Sequence, residues 1–296
     1  MELQQLRYLV TLADERHFGR AAARCHVSQP ALSAALRRLE DELGLRLVHR
    51  GHRFEGLTDE GSALLGWARA TLAASAGLEA EAAALHGDLS GVARVCAIPT
   101  ATPSIGAVLA PFLAAHPNVR VELTTGRGTE ILDAVAAREL DAGVLYVDGP
   151  LPAGLRDQPI YRDELVVLTS DPRAAALGSD APITWREAAG LALCLLAPGM
   201  QHRQLVDRTF AAAGCPEVVP RVEADSVAAL VDLGLSGASV VIARNWVRDR
   251  RLPRGTVLRR LTEPAVAPTV ALVVVDGPLI PPRARALAAA LAPRPD

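Results

Sequence analysis

The segment FGRAAARCHVSQPALSAALRRLEDELG, residues 18–44, decides the fold of the first part of the chain. It opens with a short helical stretch, and residues 26–27 then form a tight turn, because histidine tolerates a left-handed backbone better than β-branched residues do. Ser28 suits the N-cap of a longer helix, with Pro30 in the first turn, where its missing N–H costs nothing. Gly44 is the residue type that ends such a helix.

A further helix precedes this segment, because apolar residues repeat at helical spacing over residues 3–14. Helix, short helix, tight turn and third helix are the order of a helix-turn-helix, whose third helix lies in the major groove of DNA. Gln29, Ser33 and Arg37 fall on its outward face, four residues apart. Glutamine pairs with adenine and arginine with guanine or phosphate, so the sequence predicts a DNA-reading helix.

A cationic hairpin follows the third helix. Residues 45–48 alternate like a strand, RGHR at 50–53 is a turn, and residues 54–57 return as a second strand. This pattern predicts a wing that sets Arg50 and Arg53 on phosphates or in the minor groove. Residues 16–53 hold eight arginines against three acids, whereas the whole chain has a net charge of −2. Such a local basic module indicates contact with a polyanion.

The run from the alanines at 21–22 through CHVSQPALS and RRLEDELG, followed by LTDEG at 57–61, resembles the N-terminal segment of LysR-type transcriptional regulators. The resemblance implies a sequence-specific DNA-binding regulator. The chain departs from the family at Ala34, where members often carry arginine directly after the recognition-helix serine. The positions that contact DNA in the family correspond here to Gln29, Pro30, Ser33, Arg37, Arg50 and Arg53.

The length of 296 residues fits a small domain and a larger one, joined by a linker. We expect a winged helix-turn-helix over residues 1–58, a linker helix over 59–88 and an effector-binding domain over 91–296. A helix from 59 to about 86 would span roughly 42 Å. It resembles the family's linker helix, which pairs with a second copy; the alternative is a helix folded back on its own sensor domain.

The second part of the chain alternates strands with helices from residue 92, in the order βαβαβ, which predicts a largely parallel sheet. A second set begins at residue 165, and we expect a late strand at 270–275 to return to the first set. Two α/β lobes result, lobe I over about 91–162 and 268–296 and lobe II over about 163–267. This half resembles the family's periplasmic-binding-protein-like effector domain.

Three stretches that follow strands and precede helices are candidates for an effector site, because ligands of such sheets lie against helix N-termini. Their hydroxyls, amides and nearby cations suit a carboxylate or another small anion. Each threonine alone is more typical of plain N-capping, and only three such stretches facing one cleft make an effector site an equal alternative. Arg203 could pair with Asp207 on its own helix. The candidate effector residues are Thr100, Thr102, Gly128, Thr129, Gln201 and His202.

The four cysteines form no CxxC pair, so we expect neither a disulfide framework nor a metal site. Cys25 and Cys96 are typical of buried small hydrophobes. The spacing of Cys194 and Cys215 leaves a redox pair open, which makes a redox-responsive regulator of the same fold the alternative function. The resemblance disfavours it, because the peroxide-sensing branch of the family carries its reactive cysteine in the loop that reads GMQH at 199–202 here.

The sequence therefore predicts a cytoplasmic transcription regulator that binds promoter DNA and responds to a small, anionic organic effector, without a cofactor. It has no apolar run of about 18 residues, no signal peptide and none of the common catalytic motifs, so a membrane protein or an enzyme is not expected. A transport-type binding protein would carry no winged helix, and an architectural DNA binder needs no sensor. The resemblance implies RNA polymerase as a partner and a homo-oligomer, a dimer of dimers.

Overall fold

The computed structural model describes residues 1–50, 54–85, 89–171, 181–248, 250–277 and 279–291. The chain begins with a mainly α-helical module, in which three helices precede a two-stranded antiparallel hairpin. This is the winged helix-turn-helix that the sequence predicts. Its elements are α1 (Leu3–Glu15), α2 (Phe18–Arg24), α3 (Gln29–Leu43), β1 (Val48–Arg50) and β2 (Phe54–Leu57).

A leucine core fixes the orientation of α3. Leu9 and Leu12 of α1 are fully buried together with Leu32 and Leu36 of α3 and with Leu47 just before the wing. Burying each of these side chains stabilises the module by about 1.5–3 kcal/mol. Because the leucines occupy one side of α3, its opposite side is held outward.

The hairpin begins later than the strand predicted at 45–48, since β1 begins at Val48. The buried carboxylate of Glu40 on α3 is the physical reason. Its Oε1 accepts hydrogen bonds from the backbone N–H of Leu47 at 2.9 Å and of Val48 at 3.3 Å. The N–H of Leu45 donates to the Glu40 carbonyl. The segment before β1 is therefore tied to the end of α3 and cannot pair as a strand.

A single helix, α4 (Asp59–Leu85), leads away from the wing and agrees with the predicted linker helix. Thr58 caps it, with Oγ1 accepting from the Gly61 N–H at 3.0 Å and donating to the Arg46 carbonyl at 2.6 Å. Gly61 must be glycine, because a Cβ there would lie 2.1 Å from the Leu47 carbonyl oxygen. The first turn of α4 thus packs directly on the base of the wing.

Lobe I is built on a five-stranded sheet with α5 and α10 packed against each other. Its elements are β3 (Gly91–Ala97), a 3₁₀ turn (Pro99–Ser104), α5 (Ile105–Ala115), β4 (Val119–Thr125), α6 (Gly128–Ala136), β5 (Ala142–Tyr146), β6 (Leu155–Arg162), β13 (Thr269–Val275) and α10 (Pro282–Leu291). The strand order is β4-β3-β5-β13-β6. The late strand β13 pairs with β5 and β6, which confirms that the chain returns to the first lobe.

Lobe II is built on a six-stranded sheet with a hydrophobic cluster on each face. Its elements are β7 (Leu165–Thr169), β8 (Ile183–Thr184), α7 (Trp185–Ala189), β9 (Leu193–Leu196), α8 (Gln201–Ala212), β10 (Val222–Ala224), α9 (Val227–Leu235), β11 (Ser239–Ala243), a 3₁₀ turn (Arg244–Trp246) and β12 (Val257–Thr262). The strand order is β10-β9-β11-β7-β12-β8.

The strands of the βαβαβ unit are parallel, as the sequence predicts, but each sheet as a whole is mixed. The strands β4, β3 and β5 are parallel, but β13 runs antiparallel to both β5 and β6. In lobe II, β7 runs antiparallel to β11 and β12. The sequence missed β6 because its side chains are largely polar and it contains Pro159, which suits the edge position that β6 occupies. Within the described residues no helix is long and apolar enough to cross a membrane.

Candidate DNA interface and effector cleft

The outward face of α3 presents most of the residues that the sequence predicts to contact DNA. Gln29, Pro30 and Arg37 are exposed, and Ser33 is half-buried. Ser28 caps the helix, with Oγ accepting from the Ala31 N–H at 3.3 Å. The helix begins and ends as the sequence predicts. Ser28 caps its start, a proline lies in the first turn, and a glycine with a left-handed backbone follows the last turn.

Some arginines of this module form ion pairs within it, and others do not. Arg20 and Arg24 both pair with Glu15, at 3.4 and 2.9 Å, and the hydrogen bond from Arg24 lowers the pKa of the Glu15 carboxyl. Glu15 stands one residue before the basic stretch, so a local charge count misses it. Arg37 makes no hydrogen bond or ion pair with another described residue and is exposed. Arg37 is therefore available for phosphate or base contact.

The tip of the wing lies outside the described residues, and with it the predicted DNA contact Arg53. The backbone of Arg50 pairs with Phe54 across the hairpin. The side chain of Arg50 is not among those that the structure describes. The wing strand β2 packs on α2 through an edge-to-face contact of Phe54 with Phe18, at 6.0 Å between ring centroids. Both arginines therefore remain predicted DNA contacts.

A cavity of about 210 Å³ lies between the two lobes. Its walls come from the ends of β3 and β4 and the start of α6 in lobe I, and from the loop after β9, the start of α8 and the residue before Ser226 in lobe II. The lining residues are Ile98, Pro99, Thr100, Thr125, Gly126, Arg127, Glu130, Ala197, Pro198, Met200, Gln201, His202 and Asp225.

His202 is the most unusual polar group in this wall. Its side chain is 3% exposed, and neither Nδ1 nor Nε2 has a hydrogen-bond partner among the described residues. Burial lowers the pKa of the imidazole to about 4, so the ring is neutral at pH 7. A neutral imidazole offers one donor and one acceptor, and both are unused here. Buried polar atoms are nearly always paired, so this ring is poised to bind something.

Gln201 lines the cavity, but its amide is already used to join the lobes. Nε2 donates to the Tyr146 carbonyl at 2.7 Å, and Oε1 accepts from the Tyr146 N–H at 3.0 Å. Gly128 allows this approach, because a Cβ there would lie 3.0 Å from the Gln201 Cδ atom. The predicted site residues Gln201 and Gly128 are therefore brought together across the cleft, in contact with each other.

The predicted threonines divide in two. Thr100 lines the cavity and is 2% exposed. Thr102 and Thr129 are not among the described lining residues. Thr102 donates its hydroxyl to the Pro99 carbonyl at 2.8 Å, which satisfies it locally, and Thr129 is exposed on the first turn of α6. Sequence spacing placed these hydroxyls near the cleft but could not show which way they face.

A buried carboxyl lies beside the cleft, where the chain crosses from β6 to β7. Asp163 is 4% exposed, accepts from the Tyr146 hydroxyl at 3.1 Å and accepts from the Glu164 N–H at 3.0 Å. Burial raises the pKa of Asp163 to about 6. Burial and the neighbouring Asp163 also hold the pKa of Tyr146 well above its ordinary value. Sequence analysis did not single out either residue.

Three charged lining residues were also missed: Arg127, Glu130 and Asp225. Arg127 is the N-cap residue of α6, its guanidinium lies 4.0 Å from Glu130, and its Cζ lies 3.8 Å from where a Cβ on Gly199 would be. Their signal in the sequence was their position, one or two residues before or after the start of a helix. The described lining thus holds one guanidinium, two carboxylates and a neutral imidazole.

Sequence profiles of two families together match nearly the whole chain. "Bacterial regulatory helix-turn-helix protein, lysR family" matches residues 3–62, and "LysR substrate binding domain" matches residues 86–295. The chain belongs to the LysR family of transcription regulators. It is a DNA-binding transcription regulator, with the winged helix-turn-helix and the two-lobed α/β effector domain of that family.

Individual LysR relatives include regulators named for hydrogen peroxide. The "Hydrogen peroxide-inducible genes activator" of Haemophilus influenzae is 32% identical over 62% of this chain and only 61% of its own length. "DNA-binding transcriptional dual regulator OxyR" of Escherichia coli K12 is 30% identical, over 100% of this chain and 96% of that protein. The solved structure of a full-length OxyR cysteine variant from Pseudomonas aeruginosa is 28% identical, with a TM-score of 0.76, covering 98% and 94% of the two chains.

Other polar groups of this LysR effector domain are structural. Arg203 donates to Asp207 at 2.7 Å, to Glu223 at 2.7 Å and to the Leu196 carbonyl at 2.8 Å. The alternative of an intrahelical pair with Asp207 is therefore what the structure contains. Arg203 ties the start of α8 to the ends of β9 and β10, which places its neighbour His202 in the cavity wall.

The thiols Cys194 and Cys215 lie in two different hydrophobic clusters of lobe II. Cys194 on β9 is buried in the cluster that contains Val227 and Leu230 of α9. Cys215 packs against the cluster on the other face of the sheet, with Phe210 of α8. Burial raises the pKa of the Cys194 thiol, which makes it a poorer nucleophile. The sheet itself separates the two sulfurs in this arrangement.

Proposed function

We propose that this LysR regulator changes its action on promoter DNA when a small organic molecule with an anionic group binds in the cavity between the lobes. The observation that carries the proposal is His202, whose two ring nitrogens are buried in the cavity wall without partners. Leaving a buried polar atom unpaired costs about 1–3 kcal/mol, so a ligand that hydrogen-bonds to the ring removes a cost that the free protein bears.

Helix ends and one cation support the anionic group. The starts of α6 and α8 both reach the cavity, and the N-cap residue of α8, Met200, has no side chain able to satisfy the free N–H groups of the first turn. Helix N-termini favour anions through these N–H groups and through the helix dipole. Arg127 adds a positive charge on the same side.

A thermal-shift screen of the full chain against small organic acids and other metabolites tests the proposal, since binding raises the folded-state stability. We expect a compound that raises the melting temperature of the wild type and has a weaker effect on His202→Leu. His116→Asn is the matched control, because His116 lies at the end of α5 against Phe112 and outside the cavity lining. A compound that shifts the wild type and His202→Leu equally would place the site elsewhere.

We propose that a second copy of the chain pairs along α4. Exposed residues recur at alternating spacings of four and three at Trp67, Thr71, Ala74 and Leu78, and Leu85 continues the same line. Trp67 and Leu78 are each 74% exposed, and Leu85 is 81% exposed. A seam with a period of 3.5 residues is the pattern that helices use to pair as coiled coils.

The pairing is tested by the mass of the full chain in light scattering, where Leu78→Glu should lower the mass and Glu79→Gln, a neighbouring exposed position, should not. A dimer places two recognition helices on successive major grooves. Its further assembly into a dimer of dimers, and contact with RNA polymerase at the promoter, are part of the same proposal. An unchanged mass for Leu78→Glu would remove α4 from the interface.

Hydrogen peroxide is a second candidate signal, because relatives that align with nearly the whole chain are named for it. The positions of Cys194 and Cys215 on opposite faces of the lobe II sheet speak against a direct disulfide between them. The test is DNA binding after peroxide treatment, compared between the wild type and the Cys194→Ser, Cys215→Ser double variant. A peroxide response that the double variant loses would make the redox mechanism the correct one.

A further inference from the structure

The charges of the cleft do not match a simple anion. Among the described lining residues, Arg127 is opposed by the carboxylates of Glu130 and Asp225, and His202 is neutral. A ligand that carries only negative charge would lie close to both carboxylates. The regions that favour an anion and those that favour a cation nevertheless occur in one cavity, on different walls.

We propose that the ligand of this cavity is a small zwitterion of the amino-acid type, with a carboxylate and an ammonium group. This inference rests on the proposed function, since it names the chemical class of the molecule that binds at that site. It replaces a plain organic acid with a molecule that has one charge of each sign.

The carboxylate end is assigned to the wall formed by Arg127 and the starts of α6 and α8. The guanidinium of Arg127 lies at the loop before α8, close to the Gly199 position, so it adjoins both helix N-termini. Arginine binds carboxylates through two parallel hydrogen bonds, which gives orientation as well as energy. Glu130 lies 4.0 Å from this guanidinium and also accepts from the Arg127 backbone N–H at 3.3 Å, so a ligand carboxylate competes only with the long ion pair and the backbone bond can stay.

The ammonium end is assigned to Asp225 on the wall contributed by lobe II. Asp225 lines the cavity, and its carboxylate makes no hydrogen bond or ion pair with another described residue. The next residue, Ser226, already caps α9 by accepting from the Ala229 N–H at 3.3 Å. The helix therefore has its cap without Asp225, which leaves that carboxylate for a cation.

His202 supplies the second, independent observation that points to a ligand here. A neutral ring can accept from an ammonium at one nitrogen and donate to a carboxylate at the other, so a zwitterion can satisfy both ring nitrogens. The volume of about 210 Å³ corresponds to about seven water molecules, which suits a molecule the size of an amino acid.

The experiment is isothermal titration calorimetry of the full chain with three matched sets of compounds. The sets are the common α-amino acids, the α-hydroxy acids that replace each ammonium with a hydroxyl, and the amines that lack each carboxylate. We expect one or more amino acids to bind, with the matched hydroxy acid and amine each at least about tenfold weaker, because each loses one charge pair. Binding should also shift the melting temperature.

Variants assign the two ends separately. Asp225→Asn should weaken the amino acid about tenfold and leave the hydroxy acid unchanged, whereas Arg127→Gln should weaken both. Asp232→Asn is the matched control, because Asp232 is a 73% exposed carboxylate on α9 whose partner is Arg250. Asp232→Asn should bind every compound as the wild type does.

The outcomes separate this inference from the proposed function. A hydroxy acid that binds as tightly as its amino acid, or an Asp225→Asn variant without effect, overturns the zwitterion and leaves an anion site in the cleft. A compound from outside the three sets that binds through His202, when none of the three sets binds, also overturns the zwitterion alone. If no compound of any class binds the cleft, the inference and the proposed function both fall.

Discussion

At the scale of single residues, His202 and Asp163 make opposite contributions to stability in the same pH range. The pKa of His202 falls to about 4 in the folded chain from an ordinary value of 6.5, so the unfolded chain binds more protons between these pH values. Stability that is present above pH 6.5 is therefore lost as the pH falls toward 4. At pH 5 this loss amounts to about 2 kcal/mol.

Asp163 has the reverse sign. Its pKa rises from 3.8 to about 6 in the folded chain, so the folded state binds more protons between these values. Its favourable contribution is full below pH 3.8 and is lost as the pH rises through 6. Acidification from pH 7.5 to 5 should raise the free energy of unfolding by about 1.4 kcal/mol through this residue. The two effects nearly cancel. The pH dependence of stability that is due to one group should therefore become visible when the other group is removed.

Replacing His202 with asparagine should therefore make the chain relatively more stable at pH 5 than at pH 7.5, compared with the wild type. The variant loses the imidazole that must be protonated on unfolding, and it keeps the Asp163 carboxyl. Urea unfolding at the two pH values measures the difference, with His116→Asn as the control. A difference between the two pH values that matches the wild type would show that His202 is charged or solvated in the folded chain.

The matched change at the other residue is Asp163→Asn, which should make the chain relatively less stable at pH 5 than the wild type. It removes the carboxyl whose protonation favours the folded state and leaves His202 in place. The same urea series measures this change, and far-UV circular dichroism checks that the variant is folded. An unaltered pH dependence would contradict the burial of an ionisable carboxyl at this position.

At the scale of elements, Gln201 at the start of α8 acts as a latch on β5. Its amide makes two hydrogen bonds to the backbone of Tyr146, one as donor and one as acceptor. Each such bond contributes about 0.5–1.5 kcal/mol, so the pair stabilises the closed arrangement of the lobes by about 1–3 kcal/mol. A ligand that displaces Gln201 would release this arrangement.

The substitution Gln201→Ala should speed hydrogen exchange at the Tyr146 amide, because the oxygen that accepts from that N–H is lost. Exchange measured by NMR or mass spectrometry tests this at a single segment. Gln204→Ala is the control, since Gln204 is exposed and lies one turn further along α8. Equal protection of Tyr146 in all three proteins would mean that the latch is open most of the time in solution.

The recognition helix α3 gives a prediction about salt. Arg37 is exposed without a partner among the described residues, whereas Arg20 is held by Glu15. A phosphate contact releases about one counterion, so Arg37→Ala should lower the slope of log affinity against log salt by about one. Fluorescence anisotropy on operator DNA over a range of salt concentrations measures the slope. Arg20→Ala should lower this slope less. An equal loss of slope in both variants would contradict the prediction that Arg37, and not Arg20, contacts the phosphate.

The elements that were predictable from the sequence are those whose signals are local. Ser28 and Gly44 delimit α3 within one stretch of chain, and its leucines repeat at helical spacing, so helix and turn could be read directly. Glu40 entered the sequence analysis only as one of the three acids in the basic stretch, because its partners, the N–H groups of Leu47 and Val48, come from outside its helix. The local pattern therefore predicts α3 itself but not the tertiary contacts that its side chains make.

The effector cleft was harder to predict, because its walls come from segments about a hundred residues apart. Gln201 and His202 line the cleft, and their place at the start of a helix after a strand is the local signal that pointed to them. That Gln201 would bind the backbone of lobe I, and that His202 would be buried without partners, depends on the closure of the two lobes. Asp225 was missed because an acid before a helix is usual.

At the scale of the whole molecule, one arginine connects all three parts of the chain. Arg69 on α4 pairs with Asp14 of α1 at 2.6 Å and with Glu139 of lobe I at 2.5 Å. Lobe I is joined to α4 a second time through Arg285, which donates to both carboxylate oxygens of Glu81 at 2.9 Å. Because Arg69 contacts both the DNA-binding module and lobe I, we expect a movement of lobe I to act on that module through this side chain.

The substitution Arg69→Ala should uncouple a movement of lobe I from the DNA-binding module and should lower the stability of the chain only slightly. The three side chains are 26%, 36% and 41% exposed, and ion pairs of that kind contribute about 0–1 kcal/mol each. We expect hydrogen exchange to become faster in both segments that lose a partner, the end of α1 and the turn after α6. DNA affinity in the variant should also stop responding to whichever compound binds the cleft.

Arg120→Ala provides the control, because the described partner of Arg120 is Glu122 on the same strand of lobe I. Its exchange pattern should change only within lobe I, and its DNA affinity should respond to ligand as in the wild type. If Arg69→Ala loosens only one of its two partner segments, the arginine belongs to that contact alone. If it loosens both and the ligand response persists, the signal between lobe I and the DNA-binding module runs through Arg285 and Glu81.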